Sequence, residues 1–107
     1  MYQLQQTDVF ASWLIGLRDV RGQARILARL KSARLGNLGD CKPVGSGVRE
    51  MRVHTGPGYR VYFVQKKLVI LVLLCGGSKS SQVQDIARAK KLAQELKDDD
   101  HGSSDKV

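Results

Sequence analysis

Cysteine is scarce in this chain of 107 residues: Cys41 and Cys75 are its two. Two thiols at that spacing form no disulfide framework and no metal-site pattern, so the fold has to stand on an apolar core alone. Long hydrophobic runs are missing as well. The longest, Leu68 to Cys75, falls far short of the ~20 residues needed to span a bilayer, and Met1 to Thr7 has no charged stretch followed by an apolar one, as a secretory signal would. Membrane is therefore excluded as a partner, and the cytoplasm is the expected compartment. Acidic residues are the third shortage, ten against eighteen Lys and Arg, for a net charge of +8.

Four of those ten acids lie in the last ten residues, Asp98 to Val107, beside one lysine. That stretch offers almost nothing to bury, so the sequence divides into a single domain over 1–97 and a disordered acidic tail over 98–107. The body is left with seventeen basic and six acidic residues, or +11. So dense a positive charge repels itself, and a polyanion such as nucleic acid or the ribosome relieves it.

Hydrophobic periodicity lays out the elements. Tyr2 to Gln6 reads as a short strand, and Thr7 as the N-cap of a helix whose Phe10, Trp13, Leu14 and Leu17 fall on one face. A second helix follows the Asp19–Gly22 corner, with Ile26, Leu27 and Leu30 as its core stripe and Gly36 at its end. Arg21, Arg25 and Arg29 repeat every fourth residue along that helix. Like charges at this spacing repel unless an anion answers them, which marks a docking surface. Gly36 to Gly47, with four glycines and Pro43, reads as a loop.

Alternation of two residues then takes over. Met51 and Val53 alternate with Glu50, Arg52 and His54, and after the turn Thr55-Gly56-Pro57-Gly58 the pattern resumes with Val61 and Phe63 against Arg60 and Tyr62. Keeping the apolar set on one face requires Met51 opposite Val61 and Arg52 opposite Arg60. Glu50, Arg52, Arg60 and Tyr62 then share the other face, where Glu50 offsets part of the repulsion between the arginines. Lys66-Lys67 turns the chain into the apolar run Leu68–Leu74, a central strand. Gly76-Gly77 bends it toward a last helix, where Ser81 and Gln84 fit a capping box, Ile86, Ala89, Ala93 and Leu96 form the stripe, and the end falls near Lys97. The order is β-α-α-β-β-β-α: an α+β domain with two helices packed on a small, mostly antiparallel sheet, followed by a C-terminal helix.

Three strings carry a resemblance. Gly47-Val48-Arg49-Glu50-Met51-Arg52, Gly56-Pro57-Gly58-Tyr59-Arg60-Val61-Tyr62-Phe63, and Gly76-Gly77-Ser78-Lys79-Ser80-Ser81-Gln82 with Asp85-Ile86 and Ala89-Lys90 resemble, in that order, HigB-like addiction module killer proteins of the RelE/ParE superfamily. Gly36-Asn37-Leu38-Gly39-Asp40 and the Trp13-Leu14 helix fit too, so the likeness spans Tyr2 to Leu96. It implies the RelE/ParE-like fold and a toxin of a type II toxin–antitoxin system. The implied partners are an antitoxin encoded next door, often with a helix-turn-helix, and operator DNA reached only through that complex. Many such toxins cut mRNA in the ribosomal A site without a metal or other cofactor, whereas members closer to ParE poison DNA gyrase. Ser78 stands where the family usually has an acidic residue, which leaves a third reading open, a basic binding module without activity.

Metal-free RNA cleavage asks for a neutralised phosphate, a deprotonated 2′-hydroxyl and a protonated leaving oxygen. Arg60 matches the strand arginine that relatives set at the phosphate, with Arg52 beside it and Lys79 at the end of the central strand. Tyr62 and Tyr59 are candidates for stacking on a nucleobase, and His54, the one histidine of the body, is the general acid or base by type. The expected catalytic set is Arg52, Arg60, Lys79 and Tyr62. Arg21, Arg25, Arg29, Arg49, His54 and Tyr59 form the expected RNA- and ribosome-binding set.

Overall fold

A computed structural model describes residues 1–103. The chain runs β1 (Gln3–Gln6), α1 (Asp8–Ile15), α2 (Val20–Arg34), β2 (Cys41–Gly45), β3 (Val48–Val53), β4 (Tyr59–Lys67), β5 (Ile70–Ser78), one 3₁₀ turn (Lys79–Ser81) and α3 (Gln82–Ser103). The five strands form one sheet in the order β1-β5-β4-β3-β2. Among the described residues β1 with β5 is the one parallel pair, and the other three pairs are antiparallel.

The helix starts follow their caps. Thr7 Oγ1 accepts from the Phe10 amide at 3.0 Å and donates to the Leu74 carbonyl at 2.6 Å, so one hydroxyl caps α1 and ties it to β5. Asp19 caps α2 through the Gly22 amide at 3.0 Å. Ile26, Leu30 and Ala33 are buried on α2, but Leu27 stays half exposed, so its stripe is narrower than the sequence suggests. Positive φ at Gly36, 104°, lets the chain turn away after the helix.

The segment from Gly36 to Gly47, expected as a loop throughout, holds β2. Pro43 fits there because β2 is an edge strand, where its missing amide leaves no ladder bond unmade, and the register shifts between Pro43 and Gly45. The hairpin of β3 and β4 keeps the register argued from the alternation, with Met51 opposite Val61 and Arg52 opposite Arg60. The next turn comes later than Lys66-Lys67 suggests. Those lysines belong to β4, exposed Leu68 and Val69 make the turn, and β5 continues through Gly76 and Gly77 to Ser78. The bend therefore starts at Lys79. Gly76 serves packing instead: a Cβ there would overlap the Trp13 ring.

Helices cover both faces of the sheet. Phe10, Ile26 and Leu30 pack with Met51, Val53, Val61, Phe63, Leu71 and Leu73 on one side. Val48, Tyr62, Val72, Leu74 and Cys75 pack against Ala89 and Ala93 of α3 on the other. This second layer changes the environment of the face that carries Glu50 and Tyr62. Helical backbone also runs past Lys97 to Ser103, and of the expected tail 104–107 lie outside the described residues.

Candidate phosphate-binding site

The β3–β4 hairpin and the start of the 3₁₀ turn enclose an open cavity of about 540 Å³. Arg52 and His54 line it from β3 and the residue that follows, Tyr59 and Arg60 from β4, Thr55 to Gly58 from the hairpin loop, and Lys79 from the 3₁₀ turn that follows β5. The Lys79 amide donates to the Gly58 carbonyl at 2.8 Å, and the Gly58 amide to the Thr55 carbonyl at 2.9 Å. Gly58 has φ +80°, which a side chain would strain, so glycine lets the tip fold back onto Lys79.

Beneath the two arginines lies Glu50, with no exposed surface. Its Oε1 meets Arg52 Nε at 3.3 Å, and its Oε2 meets Arg60 Nε at 3.4 Å. The Tyr62 hydroxyl at 3.0 Å and Gln82 Nε2 at 2.8 Å donate to Oε2, whereas Arg60 Nε is buried beside it at ion-pair distance without a hydrogen bond among the described residues. Burial alone raises the Glu50 carboxyl, but the hydrogen bonds of Gln82, Tyr62 and Arg52 with the Arg60 charge reverse this, holding it below the ordinary carboxylate range. Two arginines, one lysine and one carboxylate leave the cavity cationic.

Not every expected residue belongs to it. Tyr62 is fully buried beneath α3, so no base can stack on its ring, and burial and then the Glu50 bond push its hydroxyl upward, which makes it a poor proton donor. The expectation of a stacking or catalytic Tyr62 is corrected accordingly. Tyr59 is 6% exposed and packs edge-on to Trp13 with ring centroids 6.2 Å apart; it supplies the cavity wall rather than an open stacking face. Arg49 projects to the opposite side of the sheet from Arg52, its guanidinium 5.4 Å from the Phe63 ring centroid, which removes it from the site. Arg21 and Arg25 are exposed on α2. Arg29 differs from them: it donates to the Arg52 carbonyl and, at 3.0 Å, to the Leu38 carbonyl, stapling α2 to β3 and to the loop before β2.

His54 brings a partner that no sequence pattern announces. Its Nε2 lies 2.6 Å from Asp40 Oδ2, and that bond is the first cause of a lowered Asp40 pKa. Gln82 is equally invisible in the sequence, since it meets Glu50 across 32 residues of chain with no local pattern between them. Ser81 bonds Asp85 Oδ2 at 2.5 Å instead of forming the expected capping box with Gln84. Among the described residues no group of three or more His, Cys, Asp or Glu side chains gathers as a metal site would require, and no helix is long and apolar enough to cross a membrane.

No protein-family model matches the sequence. An uncharacterized protein of Haemophilus influenzae is 49% identical over 94 residues, covering 88% of this chain and 95% of that one. Among solved structures, YafQ from Escherichia coli superposes with a TM-score of 0.59 at 11% identity, over 77% of this chain and 98% of its own. A copper-bound mutant toxin from Helicobacter pylori gives 0.53 at 22% identity, over 76% and 98%. With 49% of the aligned residues identical over 88% of this chain and 95% of the other, this protein belongs to one family with the Haemophilus influenzae protein, and it is built on the fold of YafQ and the Helicobacter pylori toxin.

Proposed function

We propose that the protein is the toxin of a type II toxin–antitoxin pair, close to the HigB-like members of the RelE/ParE superfamily, and that it cleaves mRNA on the ribosome in the cytoplasm. The observation that carries this reading is the cavity in which Arg52, Arg60 and Lys79 converge, with the two arginines set on a rigid hairpin. Guanidinium groups offer paired donors to phosphate oxygens. The fold shared with a toxin supports the same reading.

In the proposed reaction the 2′-hydroxyl loses its proton to His54, whose Nδ1 is the nitrogen left over by the Asp40 bond. The 2′-oxygen then bonds to phosphorus while Arg52 and Arg60 neutralise the crowded phosphate. The bond from phosphorus to the 5′-oxygen breaks, and the Lys79 ammonium returns a proton to that oxygen. The products are a 2′,3′-cyclic phosphate and a 5′-hydroxyl. Arg21 and Arg25 dock on ribosomal RNA, and an antitoxin from an adjacent gene silences the protein.

Brief induction followed by mapping of transcript 5′ ends, with and without translation, tests this. Cuts inside translated frames that vanish in Arg60→Ala are the expected result. Intact transcripts with double-strand DNA breaks would replace it with the ParE-like reading of a gyrase inhibitor, and harmless expression without antitoxin would leave a basic binding module.

A further inference from the structure

Glu50 stands opposite Tyr62 in the β3–β4 ladder, one step along the same face from the Arg52–Arg60 pair. Paired directly across strands, two arginines repel and swing apart unless a charge between them answers both. Glu50 does so from a position with no solvent contact, and it meets each guanidinium through Nε. The terminal nitrogens are thereby left for another anion: Arg60 Nη1 reaches the Gly58 carbonyl only at a long 3.5 Å. Tyr62 and Gln82 fix the carboxylate from β4 and the first residue of α3, so that its two oxygens face the two Nε groups.

We infer that Glu50 is the positioning residue of the site: a buried carboxylate, itself held by Tyr62 and Gln82, that aims Arg52 and Arg60 as two forks at one phosphate. The inference rests on the nuclease reading for its consequence in catalysis, though the geometry it describes can be read without any RNA. Glu50 touches no substrate and transfers no proton. Its work is orientation, and misplacing a phosphate-binding group by about 1 Å costs on the order of 100-fold in rate.

Side-chain nitrogen NMR of the full chain reads the positioning directly. In the wild type the Nε–H signal of Arg52 is expected to be slow to exchange with water, and Glu50→Gln, which keeps the shape and removes the charge, should lose that protection and move the Nε resonance of Arg60. Cleavage of ribosome-bound mRNA by the same variant should show kcat lower by about 100-fold with KM within about threefold, because oriented arginines act on the transition state. Should Glu50→Gln fail to fold, Tyr62→Phe and Gln82→Ala each remove one donor to the carboxylate and should each lower kcat roughly fivefold. Unchanged Nε protection, or a lower melting temperature with unchanged kcat per folded molecule, overturns the inference. Glu50-dependent protection in a wild type that cuts no RNA upholds the positioning and overturns the nuclease reading instead.

Discussion

The Tyr59 hydroxyl donates to Asp19 Oδ2 at 2.7 Å across 40 residues of chain, while Asp19 Oδ1 caps α2 through the Gly22 amide. One carboxylate thus joins the wall of the cationic cavity to a helix start, and a Cβ at Gly22 would overlap the Tyr59 ring, so the contact requires glycine there. The Gly22 bond first, and then the Tyr59 bond, hold the Asp19 carboxyl below its ordinary range. A carboxyl lowered by folding adds stability above its unfolded pKa of about 3.9 and loses it as pH falls through the folded value. Tyr59→Phe should therefore unfold at lower urea than wild type at pH 7, and the gap between the two midpoints should close as pH drops below about 4. Equal midpoints at neutral pH would show that the bond contributes nothing.

Arg21, Arg25 and Arg29 look alike in sequence and should behave differently. Arg29 holds the Arg52 and Leu38 carbonyls, so Arg29→Ala should cost about 1–3 kcal/mol of stability, measured by chemical denaturation. Arg21→Ala and Arg25→Ala should leave stability within about 0.5 kcal/mol. If they dock on RNA, each should instead lower the slope of log affinity for ribosomes against log salt by about one.

Trp13 lies against Gly76 so closely that a methyl group has no room. Gly76→Ala should destabilise by about 1–3 kcal/mol through forced repacking in the middle of β5, with the melting temperature as the readout. An unchanged melting temperature would mean that the ring moves aside freely.

Burial pushes the Cys75 thiol up to about 11, and burial likewise raises Cys41. The thiolate is the reactive form, so neither cysteine should alkylate quickly at pH near 7, and Cys75 should react at the rate of unfolding. Mass spectrometry after timed iodoacetamide treatment checks this. Fast labelling of Cys75 in the native protein would contradict its place in the core.

How far apart two interacting residues stand decides whether their contact is legible. The helix stripes, the Thr7 cap and the β3–β4 register are each written within a few residues; the register sets Arg52 beside Arg60, while Arg60 and Lys79 come out as site candidates through the family resemblance and His54 through its residue type. The edge strand β2 is hidden because glycine and proline in Gly36–Gly47 mask a pairing that only the partner strand β3 supplies. Tyr62 is misplaced by alternation, which assigns a face but does not say whether a helix covers it, and α3 does.

Local periodicity and composition suffice for the register of the β3–β4 hairpin, the helices and the positive charge. Only the packed chain buries Glu50 with Tyr62 and Gln82, brings Asp40 to His54, and turns Arg29 to the scaffold while its neighbours stay exposed. The difference is what joins the partners: apart from Glu50 and Tyr62, which the hairpin register already sets face to face, these contacts bridge separate elements 9 to 32 positions apart, where no helical or strand period reaches.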